Sequence, residues 1–175
     1  MLDRIRLVEF QKRLAARLQS TENTAPGRSA LGIQAGEERW ECDLLDISEV
    51  LSVPALVAIP HTKPWFRGLA HVRGTFYSIV DLAAFGTQAS ITPITVESRI
   101  ILASPRLTIP FGLLVSRVLG LRRVGEVPRD AGQGDQFPWH AGERVDEGEA
   151  VWRTIDMTRL AGDPDFYQAT RSDRA

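Results

Sequence analysis

Residues 60–82, P-H-T-K-P-W-F-R-G-L-A-H-V-R-G-T-F-Y-S-I-V-D-L, constrain the fold more than any other stretch of the chain. Pro60 and Pro64 fix φ and remove two backbone donors, so the stretch begins as a shaped turn and not as a ladder strand. Gly68 and Gly74 mark two places where the backbone bends sharply or another segment comes close to it. A short apolar piece, residues 69–72, lies between them. Residues 75–82 are apolar on both alternating faces, with Phe76, Val80 and Leu82 on one and Tyr77 and Ile79 on the other. That pattern predicts a central strand buried on both sides. Arg73 stands in the middle of this apolar run. A guanidinium there has to reach solvent or find a carboxylate.

One strand upstream offers such a carboxylate. In residues 46–53, Ile47, Glu49, Leu51 and Val53 alternate with Asp46, Ser48, Val50 and Ser52. Glu49 therefore falls on the more apolar face. Burying it alone would cost several kcal/mol, roughly, so it is the natural partner for Arg73. The alternative is that a strand edge leaves Glu49 in water.

The rest of the chain is read in order. Residues 2–19 predict an amphipathic helix, with Leu7, Phe10, Leu14 and Leu18 at three- and four-residue spacing. Such a helix would cap an open end of the following domain or dock a partner. Residues 20–29 read as a polar linker containing Pro26 and Gly27. From Ala30 the period changes to two. Residues 30–35 and 38–44 flank Gly36-Glu37 as a hairpin, with Trp40, Cys42 and Leu44 on one face. After residue 82 come one helical turn (83–85), a loop (86–96), and strands over 98–103, 108–115 and 118–124, with Pro105 breaking the run between the first two and Pro110 near the start of the second. Residues 126–148 are polar and glycine-rich and read as a loop. Within it Pro138-Trp139 is either an anchor or an exposed recognition aromatic. Residues 150–156 predict a last strand. Asp156 can cap a helical piece at 157–161, and Asp163-Pro164 has the form of an N-cap followed by proline at the first helical position. Short β runs punctuated by Gly and Pro, with little helix between them, point to barrels or a sandwich.

The 175 residues suit one domain or two small subdomains sharing a core, and 43% hydrophobic residues suffice for that core. The formal net charge of −1 argues against sequence-independent nucleic-acid binding, which needs a cationic surface. A single cysteine, Cys42, allows no intrachain disulfide, and its plain reading is a small buried strand residue. The first 17 residues carry charges throughout and do not read as a signal peptide, and no run is long enough for a membrane span. The expectation is a cytoplasmic protein that does not insert into a membrane. His61, His71 and His140 have no ligand spacing, and no G-x-S-x-G element or Gly-Lys-Ser/Thr phosphate loop is present. The sequence thus predicts no catalytic residue, metal or cofactor, and reads Arg122-Arg123 as solvated strand edge. A hydrolase using His71 or His140, or a small β-barrel that binds a ligand or oligonucleotide, has little in the sequence to support it. Charges set in glycine-punctuated β structure suggest a rigid interaction surface.

The stretch W-F-R-G-L-A-H-V-R-G-T-F-Y-S-I-V-D-L resembles the signature of CheW-like domains, in which a short strand ending in Asn-x-Arg-Gly leads into a hydrophobic strand ending in Val-Asp-Leu. Upstream, D-I-S-E-V-L-S-V resembles the family's glutamate-bearing strand. Downstream, F-G-L-L-V-S-R-V-L-G-L resembles its Gly-hydrophobic-Val-Asp-x-Val segment. His71 stands where the family has Asn, and Ser116 where it has Asp. Within the family, V-P-A-L-V-A-I-P-H-T-K-P-W and W-R-T-I-D-M-T-R-L-A-G-D-P-D-F are similar to the adaptors of chemosensory systems that govern type IV pili and twitching. The resemblance implies a mainly β fold of two small five-stranded β-barrel subdomains around a shared hydrophobic core. Residues 30–162 would form this domain, with an N-terminal helical extension (1–29) and a C-terminal helix and tail (163–175). It further implies a non-enzymatic adaptor, of pilus-linked or flagellar type. Its partners would be a CheA-type histidine kinase, through that kinase's CheW-like regulatory domain, and the cytoplasmic tip of a methyl-accepting chemoreceptor. The family's acid and arginine fall on Glu49 and Arg73, and its glycine on Gly68. Ile47 and Gly74 beside them complete the expected protein-binding site.

Overall fold

The computed structural model describes residues 28–86, 91–124, 137–146 and 148–169. The helix predicted for residues 2–19, residues 20–27 of the linker after it, residues 87–90 of the predicted loop, residues 126–136 and 147 of the 126–148 stretch and the whole tail after residue 169 lie outside these.

The strands follow from the alternation and its punctuation. β1 (Arg28–Ala35) and β2 (Glu38–Asp43) form the expected hairpin around Gly36-Glu37, Ala35 standing opposite Glu38. Asp43 then caps a single 3-10 turn (Leu44–Asp46), its carboxylate accepting from Leu45 N at 2.9 Å. β3 (Ile47–Ser52), β4 (Phe66–Val72) and β5 (Thr75–Asp81) lead into one helical turn, α1 (Leu82–Gly86). β6 (Arg99–Ala103), β7 (Phe111–Val115) and β8 (Arg117–Val124) complete the middle of the chain. β9 (His140–Val145) and β10 (Val151–Ile155) precede α2 (Met157–Ala161) and α3 (Pro164–Tyr167). The two short helices begin as read. Asp156 accepts from Arg159 N and Asp163 from Asp165 N, with Pro164 opening α3.

The strands form two five-stranded sheets, in the orders β8-β1-β2-β10-β9 and β3-β6-β7-β5-β4. The second sheet is built from one continuous part of the chain. The first is assembled from both sides of it, and β10 enters parallel to β2. The sheets share one apolar core. Ile33, Trp40 and Cys42 of the first sheet pack with Val80, Ile101, Phe111 and Leu113 of the second, and α1, α2 and α3 add Leu82, Met157, Leu160 and Phe166.

Each sheet is also rolled away from that core. On the other face of the second sheet, one apolar cluster draws Leu51 from β3, Ala70 and Val72 from β4, Tyr77 and Ile79 from β5, Ile100 and Leu102 from β6 and Leu114 from β7. A single cluster fed by all five strands means that the two edge strands, β3 and β4, curl toward each other. They do not close a barrel by a ladder, as the resemblance implied. β3 ends before Pro54, which has no N–H to donate. The next segment reaches β4 through one bridge, Val57 to Leu69, with N···O distances of 2.8 and 2.9 Å.

Four readings need correction. Residues 140–145, taken as part of a loop, form β9, paired antiparallel with β10. β5 is a central strand, but only its second half is buried, and Thr75 and Phe76 extend past the core into solvent. β3 does not present Ile47, Glu49, Leu51 and Val53 as one face. A bulge places Ile47 opposite Ala103 and Glu49 opposite Leu102, so Ile47 packs on the shared core while Leu51 and Val53 face the second cluster. Arg122 is no solvated edge residue but lies over the Trp152 ring, 3.6 Å from its centroid. Of the two readings of Trp139, the anchor holds. It is fully buried, against Trp40, Phe85 and Phe137.

Candidate functional site

β4 and β5 are joined by a two-residue turn, Arg73-Gly74, with Val72 opposite Thr75. Both turn residues have positive φ, 48° and 87°. That is the handedness a tight hairpin on a right-twisted ladder requires. Glycine adopts it freely, whereas Arg73 is strained by about 1–2 kcal/mol. Arg73 is therefore not inside a buried strand, as the apolar run around it suggested. It sits at a hairpin tip with its side chain 80% exposed.

Its partner is the expected one. Arg73 Nη2 donates to Glu49 Oε1 at 2.9 Å, and the Glu49 side chain is one-third exposed. Glu49 comes from the edge strand β3 and Arg73 from the hairpin that ends the opposite edge, so the pair spans the seam of the rolled sheet. In solvent such a pair contributes about 0–1 kcal/mol, too little to explain why the chain tolerates a strained arginine there. Beside it His71 and Phe76, directly opposite each other on β4 and β5, lie with ring centroids 4.8 Å apart and planes tilted by 38°, and Phe76 is 60% exposed. The hairpin thus presents an ion pair and an aromatic platform on one rigid support.

Gly68 holds that support in place from below. Its φ is 112°, and a Cβ there would run into the Val57 carbonyl oxygen. Only glycine lets residue 57 and β4 approach closely enough for the bridge to Leu69. Of the five expected site residues, Glu49, Arg73 and Gly74 come together at the tip. Gly68 lies further along β4, at the bulge against residue 57, and Ile47 is turned away to the shared core.

Two carboxylates escaped the sequence reading. Asp81, at the end of the I-V-D-L motif, is fully buried. It accepts from Thr92 N and Oγ1, both at 2.7 Å, from Arg67 Nη1 at 2.9 Å and from Ala84 N at 3.3 Å. It thereby ties β4, the start of α1 and the loop before β6 to one point. The second is Glu41, on the face of β2 opposite Trp40 and Cys42, with no exposed surface. Arg144 of β9 forms an ion pair with its Oε1, Thr154 Oγ1 donates to the same oxygen at 3.1 Å, and Arg122 Nε stands 3.8 Å from Oε2. Asp146 continues the network, accepting from the Trp152 indole at 2.7 Å and lying 3.5 Å from Arg122 Nη2. That indole bond, with the amides of Ala150 and Gly148, holds the Asp146 carboxyl below the usual aspartate range. The first sheet is rolled around charge, where the second is rolled around hydrocarbon.

Two further chemistry-bearing groups, Cys42 and His140, are held inside the fold. Cys42 is buried and its thiol is pushed up to about 12, mainly by burial and then by Asp46 and Asp43, so almost no thiolate forms. His140 Nε2 donates to the Gly142 carbonyl at 2.9 Å, and burial lowers the pKa of its ring. Among the described residues no group of three His, Cys, Asp or Glu could hold a metal ion, and no helix is long and apolar enough to cross a membrane.

Comparison with known proteins identifies the family and the fold. Residues 29–165 match the sequence model of the CheW-like domain. Protein PilI of Pseudomonas aeruginosa is 31% identical over 112 residues, which are 63% of this chain and 61% of that protein. The match thus spans about three fifths of the curated relative's length. The crystal structure of the scaffolding protein TtCheW from Thermoanaerobacter tengcongensis superposes with a TM-score of 0.68 at 18% identity, over 81% of this chain and 97% of that one.

Proposed function

The chain belongs to the CheW-like domain family, and from that premise we propose that it is a non-enzymatic adaptor coupling a methyl-accepting chemoreceptor to a CheA-type histidine kinase. It would work in the cytoplasm at membrane-bound receptor arrays, in a system that controls type IV pili and twitching motility. The likeness to PilI supports the pilus-linked output over a flagellar one.

The observation that carries the reading is the Glu49–Arg73 pair on its strained hairpin tip. The molecule holds a charged pair rigidly in solvent, at a place where that pair adds little to stability. Rigid, exposed, charged and flanked by an exposed aromatic, the tip has the composition of a protein-binding surface. An adaptor of this kind acts by coupling. It binds two partners on one rigid body, so that a shift at one contact biases the equilibrium of the other. The protein-binding residues are Glu49, Arg73 and Gly74, with Gly68 and Ile47 holding the strands that carry them.

The test is a pull-down of purified kinase regulatory domain and receptor tip with Arg73→Ala and Glu49→Lys. At least one partner should be lost from each variant while the melting temperature stays within a few degrees of the parent. Normal capture of both partners by both variants would sink the site. Output is tested separately: deletion of the gene should abolish twitching on agar and leave swimming intact.

A further inference from the structure

A groove opens where the turn at residues 60–64, α1, the lead into β9 and α3 meet. Its volume is about 540 Å³, and its walls are aromatic, from Trp65, Phe85, Phe137 and Trp139. The rings fix one another. Trp65 meets Phe85 edge-on at 4.9 Å between centroids, and Phe85 and Phe137 stack on Trp139 at 5.9 and 5.2 Å. Trp139 is fully buried, yet its indole N–H, which can only donate, has no acceptor among the described residues. A buried donor left unmet costs about 1–3 kcal/mol. The rim carries two carboxylates, Asp163 and Asp165, against one ammonium, Lys63. Lys63 stands over the Trp65 ring at 5.8 Å and reaches Asp165 only at 3.9 Å, where that carboxylate is 78% exposed. Asp163 accepts from Asp165 N at 2.8 Å and pairs with no cation among the described residues.

We propose that this groove takes an extended, proline-rich segment of a partner protein, with a basic residue beside its prolines. The indole requires a carbonyl that is free to accept. A helix interior has none, because each carbonyl is bonded within the helix. Polyproline II makes no internal hydrogen bonds, so every carbonyl is available, and one turn of it is about 9 Å long. Proline also suits the walls. It brings no N–H to be stranded against apolar rings, whereas the amides of an ordinary strand would be. Its fixed φ and the preformed walls both lower the ordering cost of binding. The rim sets the charge. Its acids outnumber its single lysine, and the link between them is long and exposed, contributing about 0–1 kcal/mol. An arginine or lysine of the partner can therefore share Asp165. The groove is built from other elements than the hairpin tip and is independent of that site.

The full chain, enriched in nitrogen-15, tests this with the peptide Pro-Pro-Ala-Pro-Pro-Ala-Arg. Of the four tryptophan indole signals, that of Trp139 should move downfield and saturate at roughly millimolar peptide. Alanine in place of the four prolines should weaken binding about tenfold or more. Asp165→Lys should weaken it about threefold, with the melting temperature unchanged. A Trp139 signal that several millimolar peptide leaves in place overturns the proposal. So does equal binding of the alanine peptide, or binding that Asp165→Lys does not change. A Trp139 signal that moves when the free chain is diluted would mean that a second copy fills the groove, and the proposal falls.

Discussion

Glu41 and Glu49 do the same geometric job in the two halves of the molecule with opposite physics. Glu41, on the central strand β2, links to arginines of both edge strands, β8 and β9, whereas Glu49, on the edge strand β3, links to the arginine of the hairpin at the other edge. Glu41 does so with no exposed surface, shared among Arg144, Arg122 and Thr154, in a sheet whose inner face is lined with charge. Glu49 does so one-third exposed, to one arginine that is itself almost fully in solvent, above a sheet filled with Leu51, Ile79, Ile100 and Leu114. Where the filling is apolar, the seam holds by hydrophobic burial and the ion pair is free to serve binding. Where the filling is charged, the ion pairs are themselves the filling and have no freedom to serve anything else.

That contrast can be broken most sharply at Glu41. Glu41→Ala leaves Arg144 and Thr154 without this acceptor and Arg122 with Asp146 alone. Unfolding in urea should show a loss of about 3 kcal/mol, the lower end for one partner removed from a buried pair, because the arginines can turn to solvent. An effect below about 1 kcal/mol would mean that the charged filling is dispensable. Next in size is Gly68→Ala, which sets a methyl group against the Val57 carbonyl at a φ of 112°. It should cost about 2 kcal/mol through strain and loss of the bridge to Leu69, and hydrogen exchange at the Val57 and Leu69 amides should quicken first. The third contrast appears only with pH. Asp146 titrates below its unfolded value near 3.8, so its contribution is fully present above that value and disappears as pH falls through the lower folded one. The stability gap between the parent and Asp146→Asn should be constant from pH 7 to about 5 and should shrink below pH 4. A gap that widens on acidification would show that the indole bond is not what holds the carboxylate. The smallest effect is expected at the exposed pair. Arg73→Ala should change stability by about 0.5 kcal/mol or less, because it removes only an exposed ion pair and alanine keeps the strain of the positive φ. A loss of 2 kcal/mol would make the pair a structural clasp and remove the case for a binding role.

The sequence reads well wherever a strand has one apolar face and ends in Gly or Pro. The β1–β2 hairpin, β6, β7, β8, β10 and both C-terminal caps come from such patterns. It reads badly wherever a strand faces the charged interior. H-A-G-E-R-V looks like loop because its inward side chain is Arg144, whose acceptor Glu41 lies about a hundred residues earlier. Glu41 itself, on the far side of Trp40 and Cys42, alternates as a solvent-facing residue would. Nothing local announces that β8 and β9 will carry arginines over it. The Glu49–Arg73 partnership was legible as two charges out of place among apolar neighbours, whereas their exposure was not. A two-residue turn is usually announced by Asn-Gly or Asp-Gly, and Arg-Gly within an apolar run gives no such signal. The bulge that turns Ile47 away from Glu49 is likewise a property of the pairing and not of either strand alone.

The order in which the strands enter the two sheets also sets an order in time. The hydrocarbon-filled sheet, β3 to β7, is complete once residue 115 has left the ribosome, whereas the charged one needs β9 and β10 from the far end of the chain. During synthesis Glu41 must therefore remain without Arg144 while the rest of the chain follows, and the half of the molecule that carries the hairpin tip folds first. Chains truncated after residue 124 should already protect the amides of β5 and β7 from exchange and leave those of β2 open. Protection of β2 at that length would show that the hairpin half does not lead.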